Sequence, residues 1–309
     1  MRAVRIYEYG SPEQLKFEDG VPEPQVSADR VLIEAAATSV NPIDWKIRSG
    51  ARQKDIPLKL PAILGRDVSG TVRMVGSNVH NFKVGDRVVA LSNATYAEFV
   101  AVESSLVTHL PEGVDLVDAA AIPLISLTGD QLVRVATKVK RDETILVSGA
   151  LGSVGRAAVH SAKKLGARVV AGVRGKQLSE AAALGVWSVI AIDADEQIAE
   201  LVTVDAVADT VGGDTAMKLL RKVRDGGSFG YASVLPEAAK AQYPAVEIKR
   251  VLARADPSKV REFADDIRDG KFSLPISRRM PLREAAEAHR LGEKGGIGKI
   301  ILEAGRASV

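Results

Sequence analysis

A glycine-rich turn between an apolar strand and an amphipathic helix constrains the fold of this chain more than any other feature. Residues 144–148 read as a buried strand, the turn follows, and apolar residues recur at helical spacing from Val154 to Leu165. A second strand pattern comes at residues 168–172, so a βαβ unit closes within about 30 residues. A glycine turn inside such a unit is typical of dinucleotide-binding folds.

Each glycine of the turn has a physical role in that interpretation. Gly152 lets the backbone approach a pyrophosphate, and Gly155 lets helix and strand pack closely. The helix start at Ser153 and Val154 offers unpaired N–H groups to the phosphates. We therefore predict that Gly149, Gly152, Ser153 and Val154 bind the cofactor, with a purely structural turn as the alternative.

The end of the second strand indicates which dinucleotide is bound. Sites for NAD carry an Asp or Glu about 20 residues after the turn, on the ribose 2′-OH, whereas an Arg suits a 2′-phosphate. Here the strand is followed by Arg174 and Lys176, and the first carboxylate after it is Glu180. Arg binds phosphate through paired hydrogen bonds. The sequence thus predicts NADP(H), with Arg174 and Lys176 at the 2′-phosphate; the alternative is that both are solvated loop charges.

Composition excludes several kinds of site. The 309 residues contain no cysteine, which removes disulfides, thiol catalysis and thiolate metal ligands. The four histidines are scattered without ligand spacing, so no metal site is predicted. The basic pairs Lys140-Arg141 and Arg278-Arg279 are too short and too far apart for a nucleic-acid surface. No apolar run approaches the ~20 residues needed to span a bilayer, and the N-terminus lacks a signal-peptide core. We expect a cytoplasmic protein with no nucleic-acid or membrane partner.

The sequence pattern of the chain changes near residue 120. Before it, short strand patterns are broken by Gly and Pro, which predicts a compact, barrel-like β domain. After it, apolar helical pattern runs through residues 119–135, and strands then alternate with helices, which predicts a parallel doubly wound sheet. The predicted strands of that sheet are residues 144–148, 168–172, 187–192, 205–209, 227–232 and 246–251. Helices at 257–269 and 282–291 and a last strand at 298–303 complete the pattern.

Several motifs in a fixed order accompany the glycine turn. They are SVNPIDWKIRSG at residues 39–50, GRDVSG at 65–70, VGDRV at 84–88, YAE at 96–98, PLISLT at 123–128, DTVGG at 209–213 and GKIIL at 298–302. With these motifs the chain resembles the zinc-free quinone oxidoreductase and alkenal reductase branch of the medium-chain dehydrogenase/reductase superfamily. The resemblance covers essentially the whole chain.

The resemblance implies an α/β fold of two domains. A GroES-like β-barrel domain would comprise residues 1–120, completed by residues 256–309. A Rossmann domain with a doubly wound parallel sheet would comprise residues 121–255 and bind NADP(H). An unpaired outer strand near residues 246–251 would pair across a two-fold axis, so a homodimer is expected.

Zinc-dependent members of that superfamily carry a Cys where this chain has Asn41, and a His-Glu pair where it has Arg66-Asp67. The resemblance therefore implies a zinc-independent enzyme that passes a hydride from NADPH to a quinone or an α,β-unsaturated carbonyl. It implies that Asn41 and Thr128 lie near the nicotinamide. The remaining cofactor-binding residues that it implies are Thr210, Val211, Tyr231, Ala232, Ser233, Gly298 and Lys299.

Other assignments stay open at this point. Some relatives carry a Tyr where this chain has Lys46. The Lys46 side chain either stabilises oxyanion charge or is a solvated cation of its loop. Asp44 and Tyr96 are further candidates for polarisation or proton delivery, although Asp44 is also placed to cap a short helix. Two rival functions are an enoyl thioester reductase and a non-catalytic NADPH-binding sensor or structural protein.

Overall fold

A computed structural model of the protein describes residues 1–305. The chain divides into two compact units, and their boundaries fall at Leu124 and Ala255. Unit 1 contains residues 1–124 and the segment from residue 255 onward, and unit 2 contains Ile125–Arg254. Residues 306–309 of the predicted C-terminal segment lie outside the described residues.

Strands and helices are numbered in chain order. Among residues 1–305 the strands are β1 (Ala3–Ile6), β2 (Lys16–Glu18), β3 (Arg30–Val40), β4 (Ala62–Ile63), β5 (Asp67–Val75), β6 (Arg87–Leu91), β7 (Phe99–Glu103), β8 (Val107–His109), β9 (Thr144–Ser148), β10 (Arg168–Val173), β11 (Ser188–Ala191), β12 (Val204–Asp209), β13 (Val223–Tyr231), β14 (Glu247–Arg250), β15 (Ile276–Pro281) and β16 (Lys299–Glu303). The α-helices are α1 (Pro42–Arg48), α2 (Pro123–Gln131), α3 (Ser153–Leu165), α4 (Leu178–Ala182), α5 (Asp195–Glu200), α6 (Gly213–Leu220), α7 (Ala239–Gln242), α8 (Pro257–Arg268) and α9 (Ala285–Lys294).

Unit 1 is built on a seven-stranded sheet in the order β15-β16-β3-β5-β6-β8, with β7 also paired to β3. A smaller sheet has the order β2-β1-β4. The core is made of aliphatic side chains such as Val4, Ile33, Val68 and Ile300, each almost fully buried. Burial of one such side chain stabilises the fold by about 1.5–3 kcal/mol. Strand β16 pairs antiparallel with β3, so the late segment of the chain completes the sheet.

Unit 2 is a six-stranded parallel sheet in the order β11-β10-β9-β12-β13-β14. Successive residues of β9 face opposite layers: Ile145 and Val147 pack with α3, and Leu146 packs with α6. Both faces of the sheet are therefore covered, which explains why its strands read as continuous apolar runs. The strand order reverses between β9 and β12, and ligands of such sheets bind at the carboxyl ends of the strands beside that reversal.

The α/β class predicted from the sequence is confirmed by these three sheets and the helices packed with them. The apolar pattern at residues 119–135 is divided differently from the prediction, since α2 passes into a wider π-helical turn at Leu132–Thr137. There the Thr137 hydroxyl donates to the carbonyl oxygen of Val133 at 2.8 Å. The predicted helix at residues 282–291 begins as a 3-10 turn and continues as α9. Among residues 1–305, no helix is both long and apolar enough to cross a bilayer.

Candidate active site

The glycine turn of unit 2 joins β9 to α3 with little room on its inner side. Gly149 has a φ of +63°, in the left-handed region that favours glycine. A Cβ atom at Gly155 would lie 2.1 Å from the carbonyl oxygen of Gly149. The turn and the first turn of α3 are thus in contact, as close helix–strand packing requires.

The outer side of the same turn has more room at Gly152 than the inner side has at Gly155. A Cβ atom there would meet only the Gly149 carbonyl oxygen, at 3.2 Å, among atoms of the described residues within 4 Å. Gly152 is the N-cap of the 13-residue helix α3, which begins with Ser153 and Val154. The first N–H groups of a helix have no intrahelical partner and attract anions. These residues therefore fit the pyrophosphate of a dinucleotide.

A buried carboxylate ties the ends of β9 and β12 together beside this turn. Ser148 Oγ donates to Asp209 Oδ1 at 2.6 Å, and the Thr210 hydroxyl donates to the Ser148 carbonyl oxygen at 2.7 Å. Asp209 also accepts the backbone N–H groups of Val211 and Gly212. Burial raises the pKa of Asp209, and these hydrogen bonds oppose the increase.

The end of β13 lies against the same group of residues. The Ala232 N–H donates to the Asp209 carbonyl oxygen at 3.0 Å. A Cβ atom at Gly212 would lie 2.8 Å from Ser233 Oγ. The structure therefore brings five of the predicted cofactor residues to one edge of the sheet: Gly149, Thr210, Val211, Ala232 and Ser233. Tyr231 is the last residue of β13 and precedes them directly.

The loop after β10 carries the predicted phosphate-binding cations. Arg174 and Lys176 are both exposed. Between them, the Gly175 N–H donates to Asp193 Oδ1 at 2.8 Å. Sequence reasoning found no carboxylate at this tip, because Asp193 comes from the end of the neighbouring strand. The signal was its position directly after the third strand of a predicted parallel sheet.

A polar cluster inside unit 1 surrounds Asn41, which is 2% exposed. The Lys299 ammonium donates to Asn41 Oδ1 at 2.6 Å, and Asn41 Nδ2 donates to Asp67 Oδ2 at 2.7 Å. The Asn41 backbone N–H donates to Asp44 Oδ2 at 2.8 Å, because Asn41 caps α1. Each polar group of the Asn41 side chain is thus already engaged within unit 1.

The ion pair of this cluster is fully enclosed. Lys299 Nζ lies 3.6 Å from Asp67 Oδ2, with side chains only 3% and 0% exposed. Asp67 also accepts the Ser39 hydroxyl at 2.5 Å and the Leu124 N–H at 2.8 Å. Burial lowers the pKa of Lys299, and the charges of Asp67 and Asp44 oppose that decrease. A buried pair with this many hydrogen bonds holds its residues in fixed positions.

A hydrogen-bonded chain extends from the cluster toward the last helix. Tyr96 O–H lies 3.2 Å from Asp44 Oδ2 and 3.0 Å from His289 Nε2. His289 Nδ1 lies 3.1 Å from Arg48 Nη1, and Arg48 Nη2 donates to Glu293 Oε1 at 2.6 Å. The sequence analysis gave His289, Arg48 and Glu293 no role, since α1 and α9 are more than 200 residues apart in the chain.

The direction of this chain follows from donor chemistry. Arg48 can only donate, so His289 Nδ1 must accept, and the ring proton lies on Nε2. The Nε2–H group therefore donates a hydrogen bond to the Tyr96 oxygen, and the Tyr96 hydroxyl donates a hydrogen bond to Asp44 Oδ2. A neutral His289 agrees with its pKa, which burial and the Arg48 charge lower to about 3.

Asp44 is the acceptor at the end of this chain. Its Oδ2 accepts two hydrogen bonds, whereas its buried Oδ1 has no partner among the residues that the structure describes. Burial raises the pKa of Asp44 to about 7, and the Asp67 charge raises it as well. The capping role considered from the sequence is confirmed, since Asp44 completes the cap of α1, and a role in proton delivery stays a prediction.

The other predicted residues belong to different elements. Lys46 is half-buried on α1 in unit 1, and Thr128 is half-buried on α2 in unit 2. Gly298 precedes β16, where a Cβ atom would lie 2.3 Å from Ser277 Oγ.

Comparison with known proteins defines the class first. Residues 27–112 match the model described as alcohol dehydrogenase GroES-like domain, and residues 184–302 match the model described as zinc-binding dehydrogenase. These models describe parts of an oxidoreductase of the medium-chain dehydrogenase/reductase class.

Full-length relatives then define the family. Human quinone oxidoreductase is 30% identical, with 98% of this chain and 97% of the relative aligned. Quinone oxidoreductase of Pseudomonas aeruginosa is 32% identical, over 97% and 99% of the two chains. A solved quinone oxidoreductase from Coxiella burnetii has a TM-score of 0.86 and 29% identity, covering 98% of this chain and 99% of that chain. The Escherichia coli quinone oxidoreductase complexed with NADPH has a TM-score of 0.85 and 26% identity, covering 98% and 100%. The chain therefore belongs to the quinone oxidoreductase family, and the resemblance drawn from its motifs is confirmed.

Proposed function

We propose that this protein is a zinc-independent oxidoreductase that uses NADPH to reduce a quinone or an α,β-unsaturated carbonyl. The observation that carries the proposal is the glycine turn at Gly152, at the point where the parallel sheet reverses its strand order. Family membership supplies the class of reaction, and a solved relative complexed with NADPH supports the choice of cofactor.

In this proposal the cofactor is held by residues of unit 2. Gly149, Gly152, Ser153 and Val154 receive the pyrophosphate, and the room at Gly152 supports this role. Arg174 and Lys176 bind the 2′-phosphate. The bound nicotinamide supplies the hydride, and the protein aligns it and excludes water. The residues proposed to line its path are Thr210, Val211, Tyr231, Ala232 and Ser233.

The chemistry of the unit 1 cluster favours a mechanism without zinc. Asn41 presents an amide that is already hydrogen-bonded, Arg66 is a cation, and a buried ammonium lies beside Asp67. Zinc prefers thiolate, imidazole and carboxylate ligands. Among residues 1–305, no three His, Cys, Asp or Glu side chains are grouped so that they could hold a metal ion.

The contacts of Asn41 and Lys299 favour a positioning role for both residues. Lys299 donates to Asn41 and pairs with Asp67 in the interior, so its ammonium is engaged within unit 1. In our proposal Lys46 and Thr128 stay the catalytic residues, and Gly298 stays a cofactor-binding residue. Lys46 is proposed to stabilise oxyanion charge on the acceptor.

The wider setting is part of the same proposal. We propose a cytoplasmic enzyme with a small-molecule substrate, whose catalytic domain is residues 1–120 with 256–309 and whose cofactor domain is residues 121–255. Strand β14 is the edge of its sheet, which supports a homodimer formed through that strand.

The test is NADPH oxidation by metal-free protein with a 1,4-quinone or a short 2-alkenal as acceptor. We expect turnover of at least one acceptor without added zinc, and the faster one identifies the substrate class. An enoyl thioester is the third acceptor. A solved enoyl reductase with a TM-score of 0.87 shares only 22% identity, so it shows the fold alone. NADPH binding without turnover of any acceptor would overturn the proposal and favour a non-catalytic sensor.

A further inference from the structure

The parallel pairing of β10 with β11 brings a carboxylate to the proposed 2′-phosphate site. Val173 is paired with Ala191, and the Ile192 N–H donates to the Val173 carbonyl oxygen at 2.8 Å. The residue that follows, Asp193, therefore stands beside the loop that begins at Arg174. This position depends on strand register and not on the sequence near the loop.

Asp193 accepts a hydrogen bond from the backbone N–H group that lies between Arg174 and Lys176. The Gly175 N–H donates to Asp193 Oδ1 at 2.8 Å. The Asp193 carboxylate is exposed, like the two cations that flank this N–H group. A carboxylate and a phosphate are both anions that accept hydrogen bonds, so they compete for the same donors.

We propose that Asp193 is a specificity-determining residue that admits NADH to the cofactor site alongside NADPH. The inference rests on the proposed function and concerns the choice between the two cofactors. A 2′-phosphate must displace Asp193 from the Gly175 N–H and tolerate its charge. A ribose 2′-OH instead leaves that hydrogen bond in place and can donate to Asp193, as it does to the carboxylate of NAD sites.

Two opposing determinants then share one loop. Arg174 and Lys176 favour the phosphate, and Asp193 opposes it, so the net preference between NADPH and NADH is small. All three side chains are exposed, and the repulsion is therefore screened by water and salt.

The experiment measures equilibrium dissociation constants of the full-length protein for NADPH and NADH by calorimetric titration. Asp193→Asn removes the charge but retains an oxygen that can accept the Gly175 N–H. We expect it to tighten NADPH binding by about three- to fivefold, the range for exposed charges, with little change for NADH. Asp193→Ala also removes the acceptor, and we expect it to weaken NADH binding by about fivefold. Adenosine 2′,5′-bisphosphate and 5′-AMP repeat the comparison without the nicotinamide.

Asp195→Asn is the matched control. Asp195 is an exposed carboxylate of α5 two residues away, paired with Lys218 at 2.5 Å. The Asp195→Asn substitution makes the same change in net charge as Asp193→Asn. The ratio of its dissociation constants for NADPH and NADH should stay within about twofold of the wild-type ratio. An Asp193→Asn ratio within that same range would overturn the inference and leave the proposed function intact. Wild-type protein that binds neither nucleotide would overturn both.

Discussion

The Tyr96 hydroxyl lies 3.0 Å from Nε2 of His289, inside unit 1, although the two residues are 193 positions apart in the chain. Because His289 must donate at this contact, Tyr96 donates in turn to Asp44. The contact therefore couples two groups with displaced pKa values: a histidine kept neutral and a buried acid. Their opposite displacements have a measurable consequence for stability.

The first prediction concerns pH. The pKa of Asp44 is raised from 3.8 to about 7, so between these values the native state holds one proton more and stability falls as pH rises. The pKa of His289 is lowered from 6.5 to about 3, so the unfolded state holds one proton more and stability rises. The two contributions cancel between about pH 4 and 6.5. In Asp44→Asn only the histidine contribution remains. The free energy of unfolding of this variant should therefore rise with pH, by at most about 1.4 kcal/mol for each pH unit.

Urea unfolding at a series of pH values checks this prediction. Asp86→Asn is the control, because the Lys83 N–H and His109 offset burial and lower the pKa of Asp86 below 3.8. Its curve should keep the wild-type slope between pH 4 and 6.5. Parallel curves for wild type and Asp44→Asn would contradict the coupling.

The second prediction concerns Tyr96→Phe. The variant removes the donor to Asp44 Oδ2 and leaves the buried Nε2–H of His289 without its acceptor. We expect a loss of about 1–3 kcal/mol in the free energy of unfolding, from denaturant titration. Tyr243→Phe loses only an exposed contact with Arg221 and should change stability by less than about 0.5 kcal/mol. Equal losses in the two variants would argue against the hydrogen bonds that join His289, Tyr96 and Asp44.

The third prediction separates the structural role of Lys299 from a cofactor role. Lys299→Met leaves Asp67 as a buried, uncompensated charge, and we expect a loss of about 3–5 kcal/mol in stability. The double variant Lys299→Met with Asp67→Asn should recover a large part of that loss. If the single variant keeps wild-type stability and weakens only NADPH binding, Lys299 contacts the cofactor instead. Thermal unfolding and nucleotide titration of the same samples distinguish the two results.

The fourth prediction contrasts two glycines of one turn. Gly152 has a φ of −70°, and a Cβ atom there would meet one backbone oxygen at 3.2 Å, so Gly152→Val should strain the turn less than Gly155→Val and lose NADPH binding by a steric block. Gly155→Val would place its Cβ atom 2.1 Å from a backbone oxygen and should destabilise unit 2 itself. Circular dichroism with nucleotide titration tests both variants. Unchanged NADPH affinity in Gly152→Val would remove the basis for the pyrophosphate site.

The fifth prediction concerns Arg174→Ala. We expect NADPH binding to weaken by about 1.5–3 kcal/mol, the range for a charge-assisted hydrogen bond, while NADH binding hardly changes. The dissociation constants of both cofactors provide the test. An equal loss for the two would show that Arg174 does not bind the 2′-phosphate.

The sequence predicted the parts of the fold that depend on neighbouring residues. The turn at Gly149–Gly152 and the apolar alternation of β9 are local patterns, and the structure places them as expected. Asp193 was missed because it lies next to Gly175 only through the pairing of β10 with β11. His289 was missed because nothing near it in the chain indicates that Arg48 and Tyr96 surround it. Local periodicity reports which face of a helix is buried, but it does not report what that face meets.

Strand β16 lies between β15 and β3 in the sheet of unit 1, with Leu302 beside Thr38. A ribosome makes β3 early and β16 only after all of unit 2 has been made. Until then the edge of β3 that β16 covers has exposed backbone donors and acceptors, which are prone to pair with other chains. During its own synthesis the protein therefore completes unit 2 before unit 1, which carries Asn41 and Asp44, and a nascent chain stalled before β16 would be prone to aggregation.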